Sequence, residues 1–288
     1  MGIDLEDGLA GKAIAVVGMG YIGSRLLAHL GSCSEEIELD VDPIGRNDLD
    51  RLGSRTYDYV FNTAGNTGDF RQKPLETVES NIGLTGFILQ HCSIREALVC
   101  LSSTRIYGFS KDQEKVFLES DPVAGGKPRL DSLYDDAKKL MESMMAATPR
   151  NYRKIVVRLS NVYGRYAADD MDDSTFLKVM LRHRRDNERL VIRQNPRSTK
   201  DYIFVDEAID GILRAGVLSH CDDVYNICSG KSHSVCDWAD LLGLSLELES
   251  DAAETHSKVS NEKALGQIGF QSRLDIASID IEDLVSYE

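Results

Sequence analysis

Proline is scarce in this chain, 6 among 288 residues, and no stretch reads as a flexible linker or a low-complexity tract, so a disordered protein is not expected. Long apolar runs are missing as well. None approaches the roughly 18 residues of a membrane span, and the opening MGIDLEDGLAGKAIAVVG is acidic with a short apolar stretch, which is wrong for a secretory leader. A cytoplasmic protein with no membrane partner is the expectation. Gly2 starts like a myristoylation site, but Glu6 and Asp7 stand where that motif wants Ser or Thr. No two of the six cysteines, Cys33, Cys92, Cys100, Cys221, Cys228 and Cys236, form a CxxC pair. Reduced thiols that mostly fill the core, and no metal site, are therefore expected. Positive charge is in deficit, 33 Lys and Arg against 47 Asp and Glu, which repels polyanions and argues against nucleic acid as a partner. The deficit is uneven. Between Lys178 and Lys200 eight basic residues face two acids, which suits a small anionic ligand better than a long one.

What is present reads as a globular α/β chain. A hydrophobic fraction of 42% with 28% charged residues supports a sizeable core, and the length fits one large unit or two closely packed lobes. KAIAVVG is a β-branched run ending in glycine, and YIGSRLLAHL carries apolar residues at helical spacing. EIELDV reads as a second strand, YDYVFNTAG as a third, ETVESNIGLTGFILQHC as one helix, ALVCLSS as a strand, SLYDDAKKLMESMM as a helix and KIVVRLS as a strand. Strands apolar on both faces that alternate with helices imply a parallel sheet covered on each side. Beyond Gly164 the pattern loosens into a helix (STFLKVMLRHRR), a strand (RLVIR), a strand entering a helix (RSTKDYIFVDEAIDGILRAGVL), a buried strand (DVYNICSG) and a tail of mostly short helices. The reading is a nucleotide-binding unit over 10–165, with the chain returning to it near 201–230, and a smaller lobe over 166–288.

GMGYIG places Gly18, Gly20 and Gly23 at GxGxxG spacing, directly after a strand and opening a helix. The first glycine permits the sharp turn, the second lets backbone approach a pyrophosphate, and the third lets helix and strand pack closely. The phosphates then sit on unpaired N–H groups at the helix N-terminus. Asp40 and Asp42 fall at the end of the second strand, a little beyond the usual twenty residues. A carboxylate there accepts from the ribose hydroxyls of NAD, whereas Arg46 just beyond suits the 2′-phosphate of NADP, and both features are present.

Tyr134 and Lys138 stand four apart. With 11 Tyr and 13 Lys chance alone gives that spacing about 0.5 times, and it occurs a second time at Tyr107 and Lys111, so context must decide. Tyr107 precedes Gly108 in a turn, which does not hold two side chains on one face. Tyr134 and Lys138 lie at i and i+4 of a helix and project together. A phenol loses its proton near pH 10, so a tyrosine that works as acid or base at neutral pH needs positive charge beside it. Ser102, Ser103 and Thr104 end a strand where parallel sheets place ligand groups, and a serine there would hold a substrate oxygen.

With glycine turn, serine strand end and YxxxK in this order, the chain resembles the extended short-chain dehydrogenase/reductase family, the NAD-dependent epimerase/dehydratase group that modifies nucleotide sugars. NTAGNTG, ESNIGLTGFIL, VRLSNVYGR, KDYIFVDEAIDGIL and VYNICSG are similar to further family segments in family order. The resemblance implies a Rossmann-type doubly wound parallel sheet with a smaller C-terminal substrate-binding lobe. It implies Ser103 as the catalytic Ser/Thr four before Tyr107, Tyr134 as acid/base, and Lys138 as its partner and a ligand of the nicotinamide ribose. Gly18, Gly20, Tyr21, Ile22, Gly23, Ala64, Gly65 and Asn81 would line the cofactor, and Thr104, Asn161 and Lys200 the substrate; from the basic segment, Arg197 is a further candidate for the substrate's phosphates, since a guanidinium binds phosphate bidentately. The chain also departs from the family. Val17 stands where many members have glycine. Thr104 and Arg105 replace the Asp-Glu of sugar dehydratases, and an arginine does not deprotonate. The cysteine of some epimerase-reductases is absent at Arg105, and an arginine offered to a diphosphate near ESDAAETHSKVSN is missing.

The resulting expectation is an NAD(P)-dependent 4-ketoreductase of a nucleotide-linked sugar. The short connection between the second and third strands, which resembles deoxysugar reductases, places it before a 4-epimerase that retains NAD. A catalytically silent dinucleotide-sensing module is the alternative of another class, and an intact Ser103, Tyr134 and Lys138 argues against it. The resemblance further implies a homodimer through the helices at about 78–92 and 132–145.

Overall fold

A computed structural model describes residues 4–34, 36–66, 70–125, 132–167, 175–249 and 251–286. The strands in chain order are β1 (Lys12–Val17), β2 (Leu39–Ile44), β3 (Thr56–Asn62), β4 (Ser93–Ser103), β5 (Val116–Phe117), β6 (Arg153–Leu159), β7 (Asn161–Tyr163) and β8 (Tyr166–Ala167). They continue as β9 (Leu190–Ile192), β10 (Thr199–Phe204), β11 (Asp223–Ile227), β12 (Ser232–Ser234), β13 (Leu246–Leu248), β14 (His256–Val259) and β15 (Val285–Ser286). The α-helices are α1 (Leu5–Leu9), α2 (Tyr21–Cys33), α3 (Arg51–Ser54), α4 (Pro74–Val78), α5 (Leu84–His91), α6 (Leu133–Ala147), α7 (Phe176–Arg185), α8 (Val205–Leu218), α9 (Val235–Leu242) and α10 (Glu262–Ile268).

Six of the strands form a parallel sheet in the order β11-β6-β4-β3-β1-β2. Because the central strands β1, β3 and β6 are buried on both faces, each face needs its own helical cover. On one face Ile14, Val16, Phe61, Val99 and Val157 meet Leu26 of α2 and Ile209 and Ile212 of α8. On the other, Val17, Val60, Leu98 and Cys100 meet Ile88 of α5 and Met141 and Met145 of α6. From β1 the chain goes outward to β2 and then back past β1 to β3, so the order reverses between β1 and β3. The carboxyl ends of those strands open the crevice in which such sheets bind ligands.

A second sheet, β12-β10-β14-β5 with β7 alongside β10, packs residues of β7 and β10 into a third apolar cluster. That cluster joins Met180 and Leu181 of α7, Trp238 of α9, Tyr163 and Phe204. The register of β7 on β10, Asn161 against Tyr202 through Tyr163 against Phe204, ties the end of β6 to the strand that enters α8.

Four expectations need correction. β2 runs to Ile44 rather than stopping at Val41, because Pro43 sits on an edge strand where its missing N–H costs no ladder bond. The expected single helix over 76–92 is α4 and α5 joined by a π-turn at Glu79–Gly83, a widening common at functional sites. The tail holds β12, β13 and β14 as well as helices. Of the six free cysteines only Cys100 and Cys228 are buried, and Cys221 is exposed, so most are not core filler. Among the described residues no helix is long and apolar enough to cross a membrane.

Candidate active site

The glycine turn follows from contacts that no side chain would survive. Gly18 has φ +101, and a Cβ there would lie 2.7 Å from the Ala64 nitrogen; a Cβ on Gly23 would overlap the Gly18 carbonyl oxygen. Thr63 locks the turn by donating its hydroxyl to the carbonyls of Val17 (3.0 Å) and Gly18 (3.1 Å). Gly20 caps α2 without a side-chain bond, and nothing lies within 4 Å of the place a Cβ would occupy. No side chain caps the first N–H groups of this 13-residue helix, the arrangement that takes a pyrophosphate. The side chain of Tyr21 turns elsewhere: its hydroxyl donates to the Gly164 carbonyl and its ring stacks on Tyr166 at 5.3 Å. Only its backbone remains for the cradle. Ile22 packs against the core.

The two acids do not stand at the strand end. Asp40 is paired in register with Ala13 and Asp42 with Ala15, four and two residues short of Ile44. Their carboxylates are engaged, Asp42 with Arg51 and with the Tyr57 hydroxyl at 2.6 Å, Asp40 with Arg55. Arg46, exposed just past the strand, pairs with no carboxylate among the described residues.

A second part of the crevice is polar and incompletely satisfied. The Oδ1 of Asn81, held in the π-turn, is buried with no hydrogen-bond partner, while its amide donates to the Thr77 carbonyl at 2.8 Å. A Cβ on Gly65 would meet this oxygen at 2.9 Å and Lys138 Nζ at 3.1 Å. Gly65, Asn81 and Lys138 therefore converge beside the glycine turn. A buried acceptor left without a donor is costly, and a hydroxyl-bearing ligand such as a ribose supplies one, so these residues fit a dinucleotide. Ala64 N–H is held by Asn62 Oδ1 at 3.3 Å.

Tyr134 and Lys138 project from one buried face of α6 toward the end of β4. The Tyr134 phenol stands beside the Ser103 side chain; burial pushes it up to about 12, and the Arg105 guanidinium and the Ser103 hydroxyl pull it back. The Lys138 ammonium donates to the Leu101 carbonyl at 2.7 Å, and burial brings it down to about 8 against the opposing pull of Cys100 and Glu142. Phe70 lies 6.1 Å from the Tyr134 ring. Arg105 stands over that ring at 5.4 Å and forks onto Asp135 through Nε (2.9 Å) and Nη2 (3.4 Å). Thr104 is buried at the start of the turn after β4.

The remaining expected residues are spread along the substrate side. Lys200 is half-buried, 5.9 Å from the Phe109 ring, and is held below the usual lysine range by burial and then by Arg105. Asn161 spends its amide on the Asp201 carbonyl at 2.8 Å, so it braces β7 against β10. Arg197 is exposed and lies apart from these groups, its backbone N–H bonded to Asn195. Tyr107, of the rejected pair, is buried and donates to Asn226 at 2.8 Å.

Sequence reasoning missed two features. Arg105 figured only as a base that could not be, although its guanidinium lies over the phenol ring. Glu142, one further helical turn beyond Lys138, accepts from Ser102 (2.5 Å) and from Arg158 Nη2 (2.7 Å). Its i+8 spacing from Tyr134 on the same apolar face was a signal.

Residues 14–228 match the NAD dependent epimerase/dehydratase family, and the chain belongs to it. No curated protein sequence matches the chain. Among solved structures it is similar to an epimerase from the methanogen Methanothermobacter thermautotrophicus, with 18% identity, TM-score 0.77, and 98% of this chain and 92% of that chain covered. It is also similar to the UDP-glucose 4-epimerase of Thermotoga maritima solved with UDP-glucose, at 17% identity, TM-score 0.75, and 92% and 94% covered. A third, RMD from Pseudomonas aeruginosa complexed with NADPH, gives 20% identity, TM-score 0.72, and 92% and 95% covered. At such identities the likeness establishes the fold, the doubly wound parallel sheet of NAD(P)-dependent enzymes.

Proposed function

We propose that the protein is an NADP(H)-linked reductase of the C4 ketone of a nucleotide-linked sugar, with residues 10–165 and the returning segment 201–230 as its cofactor-binding unit. The observation that carries this reading is the convergence of Ser103, Tyr134 and Lys138 beside the glycine turn. The dinucleotide, when bound, supplies the hydride. The Ser103 hydroxyl orients the substrate oxygen, and Tyr134 delivers its phenolic proton to that oxygen as the C–H bond forms. Lys138, with Gly65 and Asn81, is in reach of a ribose hydroxyl. The phenolate left behind recovers its proton from solvent. Arg46 and the engaged state of Asp40 and Asp42 favour a 2′-phosphate over free ribose hydroxyls, and NADPH is the form that suits reduction. Thr104 and Lys200 would face the sugar nucleotide, whose anionic groups suit a lysine with no ion-pair partner among the described residues, with Arg197 and Asn161 in supporting places. A pair of chains joining through α4, α5 and α6 would cover Leu75, Val78 and Leu140, all exposed in one chain.

The second reading is a 4-epimerase that keeps NAD, the activity named for the Thermotoga structure. Purified protein distinguishes the two. Oxidation of added NADPH only in the presence of a 4-keto nucleotide sugar supports the reductase, and stoichiometric NAD released on denaturation supports the epimerase. Tyr134→Phe should abolish either activity with cofactor affinity nearly unchanged. Full turnover in that variant would defeat both.

A further inference from the structure

We propose that Arg105 is a positioning residue for the proton transfer: its guanidinium, fixed over the Tyr134 ring by Asp135, supplies the standing positive charge that stabilises the phenolate. This rests on the reductase reading for its consequence but on geometry for its content. Arg105 is anchored at three points. Its Nε and Nη2 grip Asp135, the residue next to Tyr134 on α6; its backbone N–H donates to Ser103 Oγ at 3.3 Å; and its guanidinium lies 5.4 Å from the Tyr134 ring and 5.8 Å from Phe70. The ammonium of Lys138 is nearly as close, 5.6 Å from the same ring, yet it is committed to the Leu101 carbonyl and sits in a site that weakens its hold on a proton.

The charged groups facing the phenol are few. Asp135 and Lys138 come from α6 and Arg105 from the turn after β4, with Arg71 on the outer side of Phe70 at 5.0 Å. Behind Arg105 lies Lys200, and behind Lys138 lie Glu142 and Cys100. Arg105 favours the ionised phenol and Asp135 opposes it. An arginine cannot lose its charge in a protein, so its influence persists at pH values where Lys138 becomes neutral. Arg105 thus adds a permanent positive charge beside the phenol to that of Lys138, which also holds β4 and is placed for a ribose.

The test replaces Tyr134 with a ring-fluorinated tyrosine, acidic enough to titrate where the fold survives, and follows its ionisation by absorbance and fluorine chemical shift in cofactor-free protein. Arg105→Ala should raise the transition by about one pH unit, Arg105→Lys by less, and Asp135→Asn should lower it. Arg105→Ala combined with Asp135→Asn should return it toward the parent value. In turnover of a keto sugar, the alkaline limb of the pH profile should move the same way in the unfluorinated variants. An unmoved transition in Arg105→Ala, or movement in one direction in both single variants, overturns the proposal. Transitions that move as stated in a protein that reduces no keto sugar would sink the reductase reading and leave the link between Arg105 and Tyr134 standing.

Discussion

Replacing Lys138 by methionine should remove activity and, at neutral pH, leave the fold at least as stable as before. The reasoning starts from burial. Lys138 is 4% exposed, and its ammonium falls from an ordinary 10.5 to about 8. At about 1.4 kcal/mol per pH unit, keeping it charged at pH 7 costs the folded state about 3 kcal/mol. The methionine side chain loses the bond to the Leu101 carbonyl, worth about 1.5–3 kcal/mol for a charged donor, so the two effects nearly cancel. Their pH dependence does not. Below about pH 8 both folded and unfolded states hold the lysine proton and the cost is felt in full. Between about 8 and 10.5 the unfolded chain holds more protons than the folded one, so wild-type stability gains relative to the variant as pH rises. Urea unfolding of both proteins at pH 8 and pH 10 should show that difference growing by about 2 kcal/mol. Contributions common to both proteins drop out, and Cys100, pushed up to about 12 by burial, stays protonated in the folded state over this window. A difference that stays flat from pH 8 to pH 10 would mean that Lys138 is not a buried ammonium, and the reasoning would fail.

Two further perturbations probe other parts of the site. Arg46→Ala should weaken NADPH binding about tenfold to a hundredfold, the worth of one charge-assisted contact, and leave NADH nearly unaffected, as read by fluorescence titration; equal losses for both would remove Arg46 from the 2′-phosphate. Glu142→Gln strands the Arg158 guanidinium, 7% exposed at the side chain, and should destabilise by about 3 kcal/mol, seen as a lower urea midpoint at constant slope.

What could be read from residues alone was the part of the molecule governed by local rules. Strands such as KAIAVV and KIVVRL are apolar on both faces, and GMGYIG changes period from strand to helix at the turn, so sheet, crevice and cradle follow from neighbours in sequence. The rejection of Tyr107 and Lys111 rested on the same footing, since Gly108 at φ +73 ends the turn there. The misplaced features depend on partners distant in the chain. Pro43 reads as a strand breaker until β2 is known to be an edge. Asp42 looks available until Tyr57 and Arg51 are seen to occupy it. Arg105 reaches Asp135 across 30 residues, and Arg158 reaches Glu142 across 16; no periodicity encodes such pairings.

These distant pairings explain how one helix can carry the proposed chemistry. Tyr134, Lys138 and Glu142 descend α6 at intervals of one turn, and the lower two are held by the sheet, Lys138 by the Leu101 carbonyl and Glu142 by Ser102 and Arg158, while Ser103 at the strand end stands beside Tyr134. Two consecutive residues of β4 thus grip two successive turns, so α6 cannot slide or roll without breaking a buried polar contact. Such contacts are expensive to leave unmade. A phenol anchored in this way meets the substrate oxygen without first paying for its own orientation, and the Glu142 carboxylate at the base favours the charged form of Lys138 above it. The depth of burial that raises the cost of both charges is therefore also what fixes their geometry, and the stability lost at Lys138 is bound up with the placement of Tyr134.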